Sequence, residues 1–419
     1  MLRPIIQGFS PLKLPNFRMY ISGQAVSLIG TWLQVTAQSW VVWELSHSEA
    51  ALGVVAMFGA LPTLLLGPWA GVLADRLNRR WLLIFTQIGM MLLAFTLALL
   101  VQLQVVQIWH VYALSALLGI FSALDFPTQQ AFLGDLSGMG EVRKAVNMNA
   151  MFLQASRMIG PALAGWVIGK WGASTAFWLN GASFLAVIAS LVAVRATQVR
   201  RPPTGNSVLG DLWEGMRFLR GQPRIQDLLI LSICITLLAL SMMTMMPAFA
   251  AERLGGNAST LGSLLAASGA GALTSVVLIM PLAQSRRRVG LVMSLAVVWA
   301  GGWFLALSIV RWLPLAMLCL FALSISLPLV IAMSMGLIQV LTPGEMRARL
   351  LSLFTMVSFG MQPISALLVG GASERVGVAT IAAINGTLLV LAGLGMIFLR
   401  QGLRQWRVQA VPMSAPSGH

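Results

Sequence analysis

The sequence has little charge, few cysteines and few histidines for its length. Asp, Glu, Lys and Arg make up 9% of its 419 residues, whereas a soluble domain carries about 25%, so an ordinary soluble fold is excluded. The two cysteines, Cys234 and Cys319, each lie in an apolar run, which argues against a disulfide framework and a cysteine metal site. The three histidines, His47, His110 and His419, are scattered and form no cluster.

Several functional motifs are also absent. No G-x-x-x-x-G-K-[ST] sequence occurs, which argues against direct use of ATP. No His, Asp, Glu or Cys group has metal-ligand or nucleophile spacing, so we expect no metal, no cofactor and no enzymatic activity. The basic N-terminus runs straight into a full-length apolar segment, so no cleavable signal peptide is predicted.

Apolar residues dominate the sequence instead. They make up 58% of the chain, and the mean hydropathy is +0.85. A membrane-spanning helix needs about 20 apolar residues. The pattern predicts an all-α membrane protein with twelve spans, at roughly 17–44, 50–74, 81–102, 108–134, 145–169, 174–194, 225–250, 258–283, 289–309, 312–341, 348–372 and 377–399.

Positive charge is concentrated on one side of the predicted membrane. The net charge is +15, yet all the Lys and Arg residues except Lys170, Arg253, Arg311, Arg375 and the intrahelical Arg157 fall in the termini and every second loop. This distribution places both termini in the cytoplasm. Because membrane topology accounts for the positive net charge, we expect no nucleic-acid partner.

The longest connection divides the chain into two halves of six spans. We predict an N-terminal half at 1–194, a cytoplasmic linker with an amphipathic helix at 195–224, a C-terminal half at 225–399 and a cytoplasmic tail at 400–419. The halves resemble each other, because prolines flank "EVRKA" in the first and "EMRAR" in the second at almost the same separation. Such internal repeats are typical of transporters.

Polar residues form stripes along four of the predicted helices. In the first span they recur every three or four residues and therefore share one face. Polar groups in hydrocarbon need partners or water, so these stripes predict a shared, water-accessible interior. Packing between helices is the competing interpretation. The stripes are Tyr20, Gln24, Ser27, Thr31, Gln34 and Gln38; Ser115, Ser122, Asp125 and Gln129; Asn147, Gln154, Arg157 and Pro161; and Thr355, Ser358, Gln362 and Ser365.

Asp125 and Arg157 are the clearest charges inside predicted spans. A carboxylate at this depth costs about 2.5–3.5 kcal/mol on insertion scales. The two residues lie on consecutive antiparallel helices, so a direct or water-bridged pair is one prediction. It would either lock the helices statically or let Asp125 exchange a proton while Arg157 modulates it or meets an anionic substrate. Glu44 is a second candidate for the proton site, although its position at a helix end suggests the membrane interface.

Two segments resemble signatures of the major facilitator superfamily. "GVLADRLNRR" resembles its gating motif in the loop between spans 2 and 3, matched here by Gly71, Asp75, Arg76, Arg79 and Arg80, with Asn78 in place of a usual glycine. In that superfamily the motif helps to latch the two halves in the outward-facing state. "SRMIGPALAG" resembles its fifth-helix antiporter motif.

The antiporter motif is matched at Gly160, Pro161 and Gly165, whereas Ser156 and Ala164 replace two glycines. Longer stretches, including "DFPTQQAF", resemble the branch that contains the enterobactin exporter and related drug-efflux proteins. The resemblance covers essentially the whole chain. It implies the major facilitator fold and a proton-driven exporter in a bacterial inner membrane.

The expected function is therefore proton-coupled antiport of an amphiphilic small molecule, such as a siderophore or a drug. We expect a monomer in the lipid bilayer, with Asp125 and Arg157 as the proton-coupling residues. The first, fourth, seventh and tenth spans are expected to line the cavity. Its expected residues are Thr31, Trp32, Gln34, Gln38, Trp40, Phe121, Gln129, Gln154 and Gln362.

Two alternatives remain open on the sequence alone. One keeps the fold and moves lysophospholipids, which requires a lateral opening to the bilayer. The other is a membrane scaffold, sensor or enzyme without transport. The lack of a sizeable soluble domain argues against a sensor.

Overall fold

A computed structural model describes residues 10–138, 141–194, 208–284 and 288–400. Within these ranges, twelve long helical segments, α1 to α12, coincide with the twelve predicted spans. The all-α fold with two six-helix halves is therefore confirmed. The first half contains α1 (Pro15–Ser46), α2 (Glu49–Arg76), α3 (Arg79–Gln102), α4 (Ile108–Ser137), α5 (Val142–Trp171) and α6 (Ala173–Ala193).

The helices of the second half are more often interrupted. Their bounds are α7 (Pro223–Ile235, Thr236–Leu240, Ser241–Thr244, Met246–Ala248 and Phe249–Arg253), α8 (Ala258–Thr274, Ser275–Ile279 and Met280–Gln284), α9 (Val289–Ile309), α10 (Leu313–Ser324 and Ser326–Leu341), α11 (Gly344–Gly360 and Gln362–Val376) and α12 (Val378–Leu399). Three of these segments, in α7 and α8, are π-helical turns. Such turns are frequent at functional sites.

Local sequence explains several helix ends. The Ser48 hydroxyl caps α2 by accepting from the backbone N–H of Ala51, and Asn78 caps α3 by accepting from Arg80 and Trp81. Asn78 stands where the gating motif usually has glycine, so here this residue starts a helix. Gly172 and Gly377 end α5 and α11 with φ of 84° and 82°, a left-handed region that favours glycine.

A surface helix at Val208–Arg220 lies where the sequence predicts an amphipathic one. Trp213 is exposed, whereas Gly215 packs against the backbone of Arg349 in α11. Glu214 forms an ion pair with Arg349. Linker residues 195–207 and tail residues 401–419 lie outside the described residues.

Nine of the described helices are long and apolar enough to cross a membrane by length and composition. Of the remaining three spans, α1 and α5 carry polar stripes that lower their hydropathy, and α11 is interrupted at Met361. Several of the polar residues that weaken these spans as membrane helices, among them Gln24, Ser27 and Gln34, are buried against other helices. The chain is a multi-pass membrane protein.

Two helix pairs, α2 with α11 and α5 with α8, join the halves through small residues. A Cβ on Gly53 would lie 2.6 Å from the Ala366 carbonyl oxygen, and one on Gly370 would lie 2.6 Å from that of Glu49. These α2–α11 contacts lie on the side opposite to the chain termini. There Ser48 donates to Glu374 and Ser373 donates to Glu49 at 3.4 Å. The two halves thus exchange reciprocal Ser–Glu hydrogen bonds.

The α5–α8 pair is equally close. A Cβ on Gly262 would lie 2.6 Å from the Pro161 carbonyl oxygen and 2.7 Å from the Gly165 Cα, and one on Gly269 would lie 2.5 Å from the Arg157 carbonyl oxygen. These contacts run from the middle of the molecule to the same far side. The halves are therefore closed against each other on that side.

Candidate functional site: a polar cavity between the halves

A cavity of about 400 Å³ lies between the two halves near the middle of the spans. This volume lies within the range of about 300–1,000 Å³ for sites that hold drug-sized molecules. Its wall is mixed, with hydroxyl and amide side chains facing aliphatic ones. The polar and charged lining residues are Thr31, Gln34, Gln38, Ser39, Ser115, Ser122, Arg157, Asn180, Thr244, Ser268 and Gln362.

Nine residues singled out from the sequence line this cavity. They are Thr31, Trp32, Gln34, Gln38, Ser115, Ser122, Arg157, Pro161 and Gln362. They come from α1, α4, α5 and α11, so all four polar stripes converge on one space. The shared polar interior expected from the stripes is present in the described structure.

Hydrogen bonds between helices hold the polar wall in place. The Asn180 amide in α6 donates to Gln34 Oε1 at 2.6 Å, and Gln38 Nε2 donates to the Ser115 hydroxyl at 2.8 Å. Each bond leaves part of the glutamine amide available for a ligand. Sequence reasoning missed Asn180; an isolated amide in the otherwise apolar sixth span was its only signal.

Four predicted lining residues do not face the cavity. Trp40 is buried and donates to Glu44 at 2.7 Å, while Phe121 packs against Phe85 with ring centroids 5.8 Å apart. Gln129 is also buried and interacts with Tyr20 of α1. The fourth is Gln154, whose Oε1 is buried without a hydrogen-bond partner. Trp40 and Phe121 lie at the depth of the cavity but on another face of their helices, since Ser39, Val42, Leu118 and Ser122 line it. Gln129 and Gln154 lie beyond its end on the side of the termini, because their stripes are longer than the cavity is deep.

The predicted set of lining helices also needs correction. None of the lining residues belongs to α10, whereas α2, α3, α5, α6 and α8 contribute in addition to α1, α4, α7 and α11. Ser324 of α10 is hydrogen bonded at 2.8 Å to Ser268 of α8. Because Ser268 itself lines the cavity, α8 stands between α10 and the cavity.

Asp125 lies one turn beyond Ser122 on α4, toward the side of the termini. Its Oδ1 accepts hydrogen bonds from the Thr86 hydroxyl at 2.6 Å and from Gln87 Nε2 at 3.0 Å. Both donors belong to α3, and Tyr20 of α1 lies close by. The carboxylate is thus held by polar groups within the first half, outside the cavity wall. Sequence reasoning missed Thr86 and Gln87, although two adjacent polar residues in an apolar run were a usable signal.

Arg157 is the single charged residue in the cavity lining among the described residues. Its guanidinium lies over the Trp32 ring, 4.9 Å from the ring centroid. Within the described part of the chain it forms no ion pair and no side-chain hydrogen bond. The favourable cation–π contact orients the group while leaving its N–H donors available.

The direct ion pair predicted between Asp125 and Arg157 is therefore not formed among the described residues. Consecutive antiparallel helices made the pair a reasonable prediction, but helix order does not fix which neighbour a helix face meets. Asp125 faces α3 and Arg157 faces α1. Either residue can still take part in proton coupling, but not as a contact pair in this conformation.

The gating-motif loop forms an ion pair inside the first half. Arg79 Nη1 lies 2.9 Å from both carboxylate oxygens of Asp135, at the end of α4, and both side chains are buried. Arg80 bonds the Val192 carbonyl of α6, and Arg76 is exposed. Of Gly71 and Asp75 only the helical backbone is described. The loop therefore ties α3 to α4 and α6.

The antiporter-like motif has a packing explanation. A Cβ on Gly160 would lie 2.5 Å from the Trp32 Cβ in α1, whereas one on Gly165 would lie 3.0 Å from the Ser259 Cα in α8. Pro161 lines the cavity between them. The small residues of the motif thus let α5 pack closely against both α1 of the first half and α8 of the second half.

No group of three His, Cys, Asp or Glu side chains among the described residues could hold a metal ion. The chemistry available to the cavity is therefore binding through hydrogen bonds, apolar contact and one guanidinium. Helices on both sides of the division between the halves contribute to it. A helical bundle with such a central site is a membrane transporter by architecture.

Comparison with known proteins identifies the family. The sequence model described as "Transmembrane secretion effector" matches residues 6–417, and the chain belongs to this family of major facilitator superfamily transporters. The chain is 27% identical over 275 residues to the uncharacterized MFS-type transporter YfiS of Bacillus subtilis, covering 64% of this chain and 63% of YfiS.

Two further similarities extend over almost the whole length. The enterobactin exporter EntS of Citrobacter koseri is 26% identical over 410 residues, which cover 96% of each chain. In structure, the chain resembles a bacterial homologue of the human lysosomal transporter Spinster, solved in an inward-facing and unoccupied conformation. The TM-score is 0.65 at 15% identity, covering 94% of this chain and 99% of the other. This resemblance supports the fold.

Proposed function

We propose that the protein is a proton-coupled antiporter that exports an amphiphilic small molecule, such as a siderophore or a drug, across a bacterial inner membrane. The observation that carries the proposal is the mixed polar and apolar cavity between two six-helix halves. A relative covering the full length is named as an enterobactin exporter. Both termini would lie in the cytoplasm, as the distribution of Lys and Arg predicts.

The contacts between the halves suggest how substrate reaches the cavity. The halves meet closely on the side opposite to the termini. With cytoplasmic termini, this arrangement is the inward-facing state, in which substrate enters from the cytoplasm. Export then requires the α2–α11 and α5–α8 contacts to open while the other side closes, as in alternating access.

Asp125 is the proposed proton carrier. When ionised, its Oδ1 accepts from Thr86 and Gln87. When protonated, a carboxyl becomes a donor, and the Gln87 Oε1, which is buried without a partner, is an acceptor within reach once the amide rotates. The contact between α3 and α4 can therefore supply a hydrogen-bond partner for either protonation state of Asp125. Gain or loss of the proton changes the hydrogen bonds between the two helices.

Proton movement in proteoliposomes tests this proposal. Purified protein would be reconstituted with a pH-sensitive dye inside the vesicles and presented with siderophores, dyes and lysolipids. We expect a substrate to drive proton movement in the wild type and not in Asp125→Asn, while substrate binding to the variant persists. Glu44→Gln is the matched carboxylate variant and should couple normally.

Three results would contradict the proposal. Coupling by Asp125→Asn at the wild-type rate would make Asp125 a structural charge and move the search to other groups. Movement of lysolipid without protons would favour a lipid transporter. Absence of transport for the whole panel would count against export of amphiphiles.

A further inference from the structure

The cavity contains a cation without a counter-charge. Arg157 is the single ionisable side chain among the described lining residues, and all the other polar groups in that wall are hydroxyls or amides. Asp125, which lies one turn beyond the lining residue Ser122, is held by Thr86 and Gln87 outside the wall. The described cavity therefore carries a net positive charge.

The guanidinium is oriented and has its donors available. The ring of Trp32 lies 4.9 Å below it, and Gly160 allows this contact because its missing Cβ would lie 2.5 Å from the Trp32 Cβ. No acceptor among the described residues takes a hydrogen bond from Arg157. A planar guanidinium with unused N–H donors is suited to bidentate binding of a carboxylate or phosphate.

The remainder of the wall suggests what such an anion is attached to. Much of the lining is aliphatic or aromatic, including Leu52, Val55, Leu118, Met243 and Leu265. These side chains bind an apolar body, and the amides of α1 and α6 bind polar groups along it. A small inorganic anion would leave this apolar surface in contact with water.

We propose that the cavity selects amphiphilic anions, whose carboxylate or phosphate group is bound by Arg157 against Trp32. The inference deepens the proposed export function and rests on it, because it treats the cavity as the substrate site. A desolvated arginine without a partner is costly. The bound anion supplies that partner, so neutral and cationic amphiphiles of the same shape bind more weakly.

A binding assay with three matched probes tests this selection. The probes are 11-(dansylamino)undecanoic acid, its methyl ester and N-dansyl-1,11-diaminoundecane, which carries an amine on a chain of the same length. The fluorescence of the dansyl group rises in an apolar site. We expect the purified wild type at neutral pH to bind the acid at least about tenfold more tightly than the ester, the ratio given by one charge-assisted interaction. The amine should bind more weakly than the acid.

Variants assign the preference to Arg157. In Arg157→Gln the acid and the ester should bind equally, and continued binding of the ester shows that the variant is folded. Arg157→Lys should keep the preference with lower affinity, because it keeps the charge but loses the planar donor pair. Arg311→Gln removes the same charge from an exposed loop and should leave the preference unchanged.

Two results would overturn the inference: a wild type that binds the acid no more tightly than the ester, or an Arg157→Gln variant that keeps the preference. Displacement of the probe by decanoate and by lysophosphatidylglycerol then separates a free carboxylate from a lipid headgroup as the source of the anion. Binding needs neither vesicles nor a proton gradient. If the protein exports a substrate in exchange for protons but binds the acid and the ester equally, only the inference of anion selection is refuted. If it prefers the anion but transports nothing, only the export proposal is refuted.

Discussion

At the scale of single residues, the two intramembrane charges occupy different environments. The Asp125 carboxylate is held by two donors from α3, and the Arg157 guanidinium is held by a ring from α1. A carboxylate with donors that can be rearranged is suited to proton exchange. A guanidinium stays charged throughout, so it is suited to recognition of an anion. These partners are the basis for the different roles proposed for the two residues.

Gln87→Met tests the role of the amide at Asp125. The substitution removes a hydrogen bond to a charged group, worth about 1.5–3 kcal/mol, and also removes the acceptor for the protonated carboxyl. We expect substrate-driven proton movement to fall at least about tenfold in the proteoliposome assay. Thr96→Val is the matched control on α3, because Thr96 is exposed and bonds the Leu92 carbonyl of its own helix. Wild-type coupling by Gln87→Met would show that the amide is not needed.

At the scale of helices, the halves are joined where small residues allow backbones to touch. A valine at Gly165 would force its Cβ to within 3.0 Å of the Ser259 Cα and 3.2 Å of the Gly262 Cα. Overpacking of this kind costs about 1–3 kcal/mol. Here it would destabilise only the conformation in which α5 and α8 are in contact. The closed contact between α5 and α8 is therefore sensitive to added volume.

Gly165→Val should shift the population toward the form that is open on the side opposite to the termini, by up to about two orders of magnitude. Spin labels at Gln104→Cys and Arg311→Cys, in a Cys234→Ala and Cys319→Ala background, report the separation of the halves on that side. Gly169→Val is the matched control, because nothing lies within 4 Å of the Cβ it would carry. Equal distance distributions for the Gly165 and Gly169 variants would contradict this role of the α5–α8 contact.

At the scale of the whole molecule, the predicted orientation places both termini and the surface helix in the cytoplasm. The bias of Lys and Arg toward that side is the physical cause. A green fluorescent protein joined after Arg400 should therefore fluoresce, and alkaline phosphatase joined there should be inactive. Joined after Arg311, in a loop on the other side, the two reporters should behave in the opposite way. The same reporter being active at both positions would refute the predicted topology.

The helices could be predicted from sequence because hydrophobic length alone specifies a span. The polar interior was also predictable, because the residues of α1 recur at helical spacing. The part of each stripe that lines the cavity could not be predicted, because Gln129 and Gln154 continue the same helix faces as Ser122 and Arg157 beyond the end of the cavity. The hydrogen-bond partners of Asp125 could not be predicted either, because they depend on which helix packs beside α4.

The glycine contacts of α2 with α11 and α5 with α8 have an electrical consequence. Backbones that approach so closely leave no room between the helices for a file of water molecules, along which protons would pass. The closed side therefore acts as an insulator that preserves the membrane potential while substrate moves in the cavity. A variant in which these helices separate while the side of the termini also stays open should leak protons, and cells expressing it should lose energised growth before they lose the transported compound.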